Sequence, residues 1–141
     1  MSRETPFHIL LVEDDSNDAV LLQRAFRRAN VQCHVNVVTD GDEAIKYLST
    51  NEPYADRQKF PFPSLVLLDL KLPRTPGLEV LAWLRRQAPA LRDLPVIVLT
   101  SSRQTADIDQ AYSLGAHSYM AKPEGNFEGL AEMVKGLDQA L

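Results

Sequence analysis

Short apolar runs, each followed by a stretch of helical periodicity, recur from one end of this chain to the other. Ile9–Val12, Leu65–Leu68 and Val96–Leu99 are unbroken runs rather than alternating ones. Strands with one wet face alternate apolar and polar residues. Unbroken runs are expected where helices cover both faces of a parallel sheet. Two further strands are read at the β-branched Val35–Thr39 and at Ser118–Ala121.

The intervening segments carry helical spacing. Leu22, Ala25, Phe26 and Ala29 follow the first run at i, i+3, i+4, i+7, and Ala44, Ile45 and Leu48 follow the turn Asp40-Gly41. Leu78, Leu81, Leu84 and Ala88 give a third stripe. Ile108, Ala111 and Tyr112 give a fourth, with Gly115 placed to end it. Phe127, Leu130, Val134, Leu137 and Leu141 give the last, with Asn126 as its expected N-cap. Five strands alternating with five helices predict a doubly wound α/β fold, because crossovers between parallel strands are right-handed. The 141 residues make one domain, expected to span 1–141. The segment 49–64, with Pro53, Pro61 and Pro63, is expected to be a surface loop.

The apolar share of 45% is that of an ordinary globular chain, and no run approaches the ~20 residues a bilayer span requires. The N-terminus shows no export segment and Cys33 is the single cysteine, so a reducing, cytoplasmic setting is expected. A net charge of −4 argues against non-specific nucleic-acid binding. With the final helix reaching Leu141, no attached DNA-binding module is expected either.

Ligands of doubly wound folds bind beyond the carboxyl ends of the strands. Here those ends carry Glu13-Asp14, Asp69, Thr100-Ser101 and Lys122-Pro123. Each has an ordinary structural reading: Glu13-Asp14-Asp15 as a helix cap, Asp69 as a turn former, Thr100 as a strand residue, Lys122 as a solvated lysine. Their conjunction on one sheet edge favours a functional site. Clustered carboxylates raise one another's pKa unless a cation intervenes, and Mg²⁺ suits a site of one or two carboxylates plus phosphate oxygens. Asp14 and Asp69 are expected to ligate it, Glu13 to orient a bound water, and the Lys71 carbonyl to complete the site. A carboxylate can accept a phosphoryl group, and such transfer needs mainly positioning and charge neutralisation. Asp69, between the acids and the lysine, is the expected acceptor. Lys122 would supply positive charge and Thr100 a hydrogen bond.

Leu11-Val12-Glu13-Asp14-Asp15, Leu68-Asp69-Leu70-Lys71-Leu72-Pro73, Leu99-Thr100-Ser101 and Tyr119-Met120-Ala121-Lys122-Pro123 together resemble the signature of two-component response-regulator receiver domains. The resemblance runs in order from about Phe7 to the C-terminus. It implies a flavodoxin-like (βα)5 fold with strand order 2-1-3-4-5. It further implies phosphorylation of Asp69 by a histidine kinase with Mg²⁺ held at Glu13 and Asp14, and Tyr119 as a switch aromatic coupled to Thr100. A cis Lys122–Pro123 bond and an output face of helix 4, strand 5 and helix 5, roughly Asp107–Leu141, are also implied. The stretch Tyr54–Pro63, the segment Leu72-Pro73-Arg74-Thr75-Pro76-Gly77 and the ending Phe127–Lys135 resemble stand-alone receivers that serve bacterial and cyanobacterial phytochrome-type kinases. This implies such a sensor as partner and a homodimer through the output face; Phe127, Leu130 and Val134 would equally cover the sheet in a monomer.

Several departures and three rival readings bear on this assignment. Pro76 stands where many receivers have an acid, and Lys71 and Ser102 occupy positions that influence attack by water. A haloacid-dehalogenase-type phosphatase would need an acid at position 71, where Lys71 stands. A flavodoxin-like electron carrier would need a phosphate-cradling loop where Ser16-Asn17-Asp18 stands. A phosphate-independent pseudo-receiver is the remaining alternative, disfavoured because Asp69, Lys122 and the metal acids are all retained. His8, His34 and His117 fall at strand starts, opposite the acids, and are expected to be structural. Trp83 is expected to pack, and Cys33 to be an inert thiol.

Overall fold

A computed structural model describes residues 7–101, 105–122 and 127–140. It contains β1 (Phe7–Val12), α1 (Ser16–Arg28), β2 (Cys33–Val38), α2 (Gly41–Leu48), β3 (Leu65–Asp69), α3 (Gly77–Arg85), α4 (Pro89–Arg92), β4 (Val96–Thr100), α5 (Thr105–Ser113), β5 (Ser118–Ala121) and α6 (Glu128–Ala140). The strands form one parallel five-stranded sheet in the order β2-β1-β3-β4-β5. The doubly wound fold expected from the alternation, and the flavodoxin-like strand order that the receiver resemblance implies, are those observed.

Side chains of a strand alternate between faces, so each unbroken run feeds two cores. Phe7, Ile9 and Leu11 of β1, with Leu65, Leu67, Ile97 and Leu99, pack under α1 and α6 against Leu22, Phe26, Leu130 and Val134. Leu10 and Val12, with Val66, Leu68, Val96 and Val98, face α2, α3 and α5 through Ala44, Leu81, Leu84 and Ala111. This is the two-sided burial that the lack of alternation in the sequence reports. Strand order reverses between β1 and β3, and the carboxyl ends of those two strands hold Glu13 and Asp69.

The helices depart from the sequence reading in four places. The third stripe ends at Arg85, and Ala88 is exposed as the N-cap of a separate single turn, α4, started by Pro89. The described residues therefore form six helices, and the helix 4–strand 5–helix 5 face corresponds to α5–β5–α6. Tyr112 is 49% exposed, leaving Ala111 as the buried residue of α5. Ile45 and Leu78 are only partly buried, while Tyr47 and Val80 are 1% and 0% exposed. A polar tip hid Tyr47 from an apolar count. Gly115 does adopt the left-handed conformation, at φ 87°. Asn126, Ser102, Leu141 and the Lys122–Pro123 bond lie outside the described residues.

The 49–64 segment lies at the surface, with residues 51–53, 55–56 and 58–59 exposed, and is anchored there by an aromatic cluster. Tyr47, Tyr54 and Phe60 lie with ring centroids 5.0–6.0 Å apart. The Tyr47 hydroxyl donates to the Pro61 carbonyl at 2.8 Å and accepts from Asn36 Nδ2 at 3.1 Å. Arg57 lies over the Tyr47 ring and donates to the Phe60 carbonyl at 2.9 Å. Tyr54 and Phe60 pack against the α2–α3 core, so the segment extends that core.

Candidate functional site

Five backbone segments deliver side chains to the carboxyl edge of the sheet. β1 ends at Val12 and presents Glu13, 3% exposed, and then Asp14, which is exposed. Asp15 caps α1, accepting from the amides of Asn17 at 2.9 Å and Asp18 at 3.2 Å. The capping and functional readings of the acid run thus divide by residue. Asp15 ties the turn down, while Glu13 and Asp14 face the sheet edge. Glu13 joins the turn through one oxygen only, with Oε2 accepting from the Asp15 amide at 3.2 Å.

β3 ends on Asp69 itself, 4% exposed. Its Oδ1 accepts from the Lys71 amide at 3.1 Å. Its Oδ2 accepts from Lys122 Nζ at 2.9 Å. Lys122 also reaches Glu13 Oε1 at 2.7 Å and Asp18 Oδ2 at 3.0 Å. The lysine leaves the end of β5, where its own amide donates to the Thr100 carbonyl at 2.9 Å. Thr100 is fully buried one residue beyond Leu99, the register partner of Asp69. Tyr119 pairs with Val98, is partly buried against the α2–α3 core, and its amide donates to the Tyr112 hydroxyl at 3.2 Å.

The structure thus brings together Asp69, Glu13, Asp14 and Lys122, and adds Asp18. Thr100 lies on the neighbouring strand end, and Tyr119 sits three residues back from Lys122 along β5. Asp18 follows the acid run by three residues, and the sequence pattern alone assigns it no role at the site. Its position in the first turn of α1 is what aims it at the lysine.

Burial, reinforced by the charge of Asp69, pushes Glu13 up to about 7, against the opposing hydrogen bonds from Lys122 and the Asp15 amide. Burial alone would lower the Lys122 pKa, but hydrogen bonds to Glu13, Asp69 and Asp18 outweigh it and hold the ammonium above the ordinary lysine range. The lysine is therefore charged at any physiological pH. Carboxylate oxygens of Glu13, Asp14 and Asp69 lie within 4.8 Å of one another. This all-oxygen donor set suits a hard divalent cation such as Mg²⁺.

A close backbone approach fixes the loop that follows Asp69. The Gly77 amide donates to the Leu70 carbonyl at 3.0 Å, and a Cβ on Gly77 would lie 2.3 Å from the Asp69 carbonyl oxygen and 2.7 Å from Leu70 Cα. The obstructing atoms are backbone and cannot rotate away. Ordinarily Gly→Ala favours a helix by about 1 kcal/mol. Gly77→Ala is expected to do the opposite, lowering stability by roughly 1–3 kcal/mol as an overpacked site does, and to shift the Asp69 and Leu70 amide resonances. Urea melts and an amide correlation spectrum measure both.

The fold and this edge define a doubly wound α/β domain with a carboxylate–lysine centre at its topological switch point. The chain belongs to the response regulator receiver domain family, whose model matches residues 9–135. It is 39% identical over 139 residues to the probable methanogenesis regulatory protein FilR2 of Methanothrix harundinacea, covering 99% of this chain and 86% of that one. It is 36% identical over 133 residues to the response regulator Rcp1 of Synechocystis, covering 94% and 87%. The Mn²⁺-bound form of Rcp1 superposes with a TM-score of 0.80, covering 95% of this chain and 93% of that one. The phosphorylated cyanobacterial phytochrome response regulator RcpA superposes with a TM-score of 0.81 at 38% identity, covering 96% and 93%. Among the described residues no helix is long and apolar enough to cross a membrane.

Proposed function

We propose that this receiver domain accepts a phosphoryl group on Asp69 from a phosphohistidine of a sensor histidine kinase. The observation that carries this is the Asp69 carboxylate, 4% exposed, with one oxygen held 2.9 Å from Lys122 Nζ in a cluster of further acids. The phosphorus–nitrogen bond of the donor breaks as a bond to an Asp69 oxygen forms, and the proton required by the leaving imidazole comes from solvent. Lys122 stays charged and moves its hydrogen bond from Asp69 Oδ2 to a phosphoryl oxygen. Thr100 supplies a second hydrogen bond. Mg²⁺, held by Glu13, Asp14, Asp69 and the Lys71 carbonyl, supplies further neutralisation of the phosphoryl oxygens when bound. The likeness to the Mn²⁺-bound Rcp1 structure supports the metal, and the likeness to phosphorylated RcpA supports the acceptor role and a phytochrome-type partner.

The added charge of about −1.5 to −2 draws Thr100 toward the site and lets Tyr119 turn inward, changing the α5–β5–α6 face. That face is where a homodimer forms, and it presents the exposed Tyr112. In this reading the domain catalyses only its own phosphorylation and dephosphorylation.

Incubation with acetyl phosphate and Mg²⁺, followed by intact mass measurement, tests the assignment. One hydroxylamine-labile phosphoryl group is expected on the wild type and none on Asp69→Asn. A wild type that stays unmodified with acetyl phosphate and with every sensor kinase of its source would make the domain a phosphate-independent binding module.

A further inference from the structure

The loop between β3 and α3 is fastened at both ends, and the second fastening is not part of the carboxylate–lysine centre. At its base, the Gly77 amide meets the Leu70 carbonyl and the Lys71 amide meets Asp69 Oδ1. At its far side the loop is tied to the first turn of α2. Thr75 Oγ1 donates to Asp42 Oδ1, and the Gly41 amide donates to the Pro73 carbonyl at 3.4 Å. Arg74 reaches Asp40 at 3.6 Å and Asp42 at 4.0 Å. Gly41 is seated so tightly that a Cβ there would lie 1.9 Å from the Thr75 carbonyl oxygen.

Magnitudes separate the parts of this fastening. The Arg74 side chain is 70% exposed, so its ion pairs contribute little in water. Arg74 is also held at φ 66°, a left-handed conformation that is unfavourable for a residue with a Cβ. Such strain persists only where the surroundings over-determine it. What over-determines it here is the half-buried Thr75–Asp42 hydrogen bond and the backbone contact on Gly41. Beyond Leu70, which is buried in the α2–α3 core beside Asp69, the loop has little apolar anchorage, since Leu72 is only partly buried and Lys71, Pro73, Arg74 and Pro76 are exposed. Among the described residues, the Lys71 amide is the group of this loop that touches the Asp69 carboxylate.

We propose that Thr75 and Asp42 are positioning residues that hold the Lys71 backbone in register with Asp69, and so set the cation affinity and phosphoryl-transfer rate of the centre from the other side of the loop. The inference rests on the phosphoacceptor reading for the transfer rate, but not for the affinity. Neither side chain touches the reacting carboxylate. Their effect passes through a rigid loop closed at its base by Leu70 and Gly77.

Thr75→Val removes the hydroxyl without changing charge or size, and Thr75→Ser restores it. Mn²⁺ affinity of the unphosphorylated protein is read by calorimetry, protection of the Lys71 and Gly77 amides by hydrogen exchange, and phosphorylation by acetyl phosphate at saturating Mg²⁺. Thr75→Val is expected to weaken Mn²⁺ binding roughly 10-fold, the size typical of a supporting residue behind a metal ligand, with loss of Lys71 amide protection. Phosphorylation should slow with it, Asp42→Ala should behave alike, and Thr75→Ser should match the wild type. A folded Thr75→Val with wild-type Mn²⁺ affinity and wild-type Lys71 protection overturns the proposal, even if its melting temperature falls. If the wild type binds Mn²⁺ but is never phosphorylated, the phosphoacceptor reading fails while the affinity comparison still decides the positioning role.

Discussion

Lys122→Ala is expected to cost about 3–5 kcal/mol of unfolding free energy in chelator-treated protein at pH 8, the loss seen when one partner is removed from a buried charge cluster. The Lys122 side chain is 14% exposed and serves three carboxylates at 2.7–3.0 Å, two of them on side chains only 3% and 5% exposed. Without it, Glu13 and Asp69 face each other as buried anions. At an effective dielectric constant near 20, two unit charges about 4 Å apart repel by roughly 4 kcal/mol. Glu13 can relieve part of this by taking up a proton, so the loss should shrink toward pH 5. Millimolar Mg²⁺ should recover most of the stability at pH 8, because a dication at the same oxygens replaces the lost charge. Urea unfolding with chelator and with Mg²⁺ makes the comparison, and Lys122→Met controls for side-chain volume. A loss below about 1 kcal/mol in chelator would show that the acids are solvated enough to do without the lysine. The Mg²⁺-loaded variant, though folded, should no longer couple phosphorylation to movement of Tyr119.

The sheet and its edge were legible in the sequence for a common reason. Unbroken runs such as Leu65–Leu68 report burial on both faces, and a parallel sheet aligns every carboxyl end. The residue after each run could therefore be placed without knowing any distance. Asp69, Glu13, Asp14 and Lys122 were found this way. Asp18 was harder to assign, because its contact with Lys122 spans 104 positions and depends on how α1 leaves the turn capped by Asp15. Tyr47 defeated a periodicity argument since its ring is buried while its hydroxyl is used, donating to Pro61. Tyr112 failed in the opposite sense: its ring is half exposed and its hydroxyl covers an edge-strand amide of β5. The break at Arg85 also left no apolar signal. Its guanidinium donates to the carbonyls of Leu114, Arg92, Leu94 and Gly115, binding the end of α3 to two later turns. The roles of Gly41 and Gly77 depend on backbone approaches of a few ångströms, which a sequence pattern does not encode.

In chelator, the stability of the wild type is expected to fall as pH rises from about 4.5 to about 7, and Glu13→Gln should remove that fall. Burial and the Asp69 charge hold folded Glu13 near 7, whereas its unfolded value is 4.5. Between those values the folded state binds a proton that the unfolded state has released, so raising the pH favours unfolding. A shift of this size corresponds to about 3 kcal/mol at 1.36 kcal/mol per pKa unit. The direction is opposite to that of a salt-bridged carboxylate, which gains stability over the same range. Lys122 does not contribute here, since its raised pKa costs stability only above the ordinary lysine range. His8 acts against the trend. Its pKa is lowered by burial and by His34, so its contribution is lost as pH falls below 6.5. The difference between wild type and Glu13→Gln cancels His8, which lies at the other end of β1, and isolates the carboxyl group. Mg²⁺ should flatten or reverse the wild-type slope, because a dication favours ionised Glu13, while leaving the Glu13→Gln profile less altered. Urea midpoints from pH 4.5 to 8, with chelator and with Mg²⁺, give all four curves. A chelator difference curve that stays flat or rises toward pH 7 would mean that Lys122 alone neutralises Glu13, and that the buried acid carries its charge without a metal.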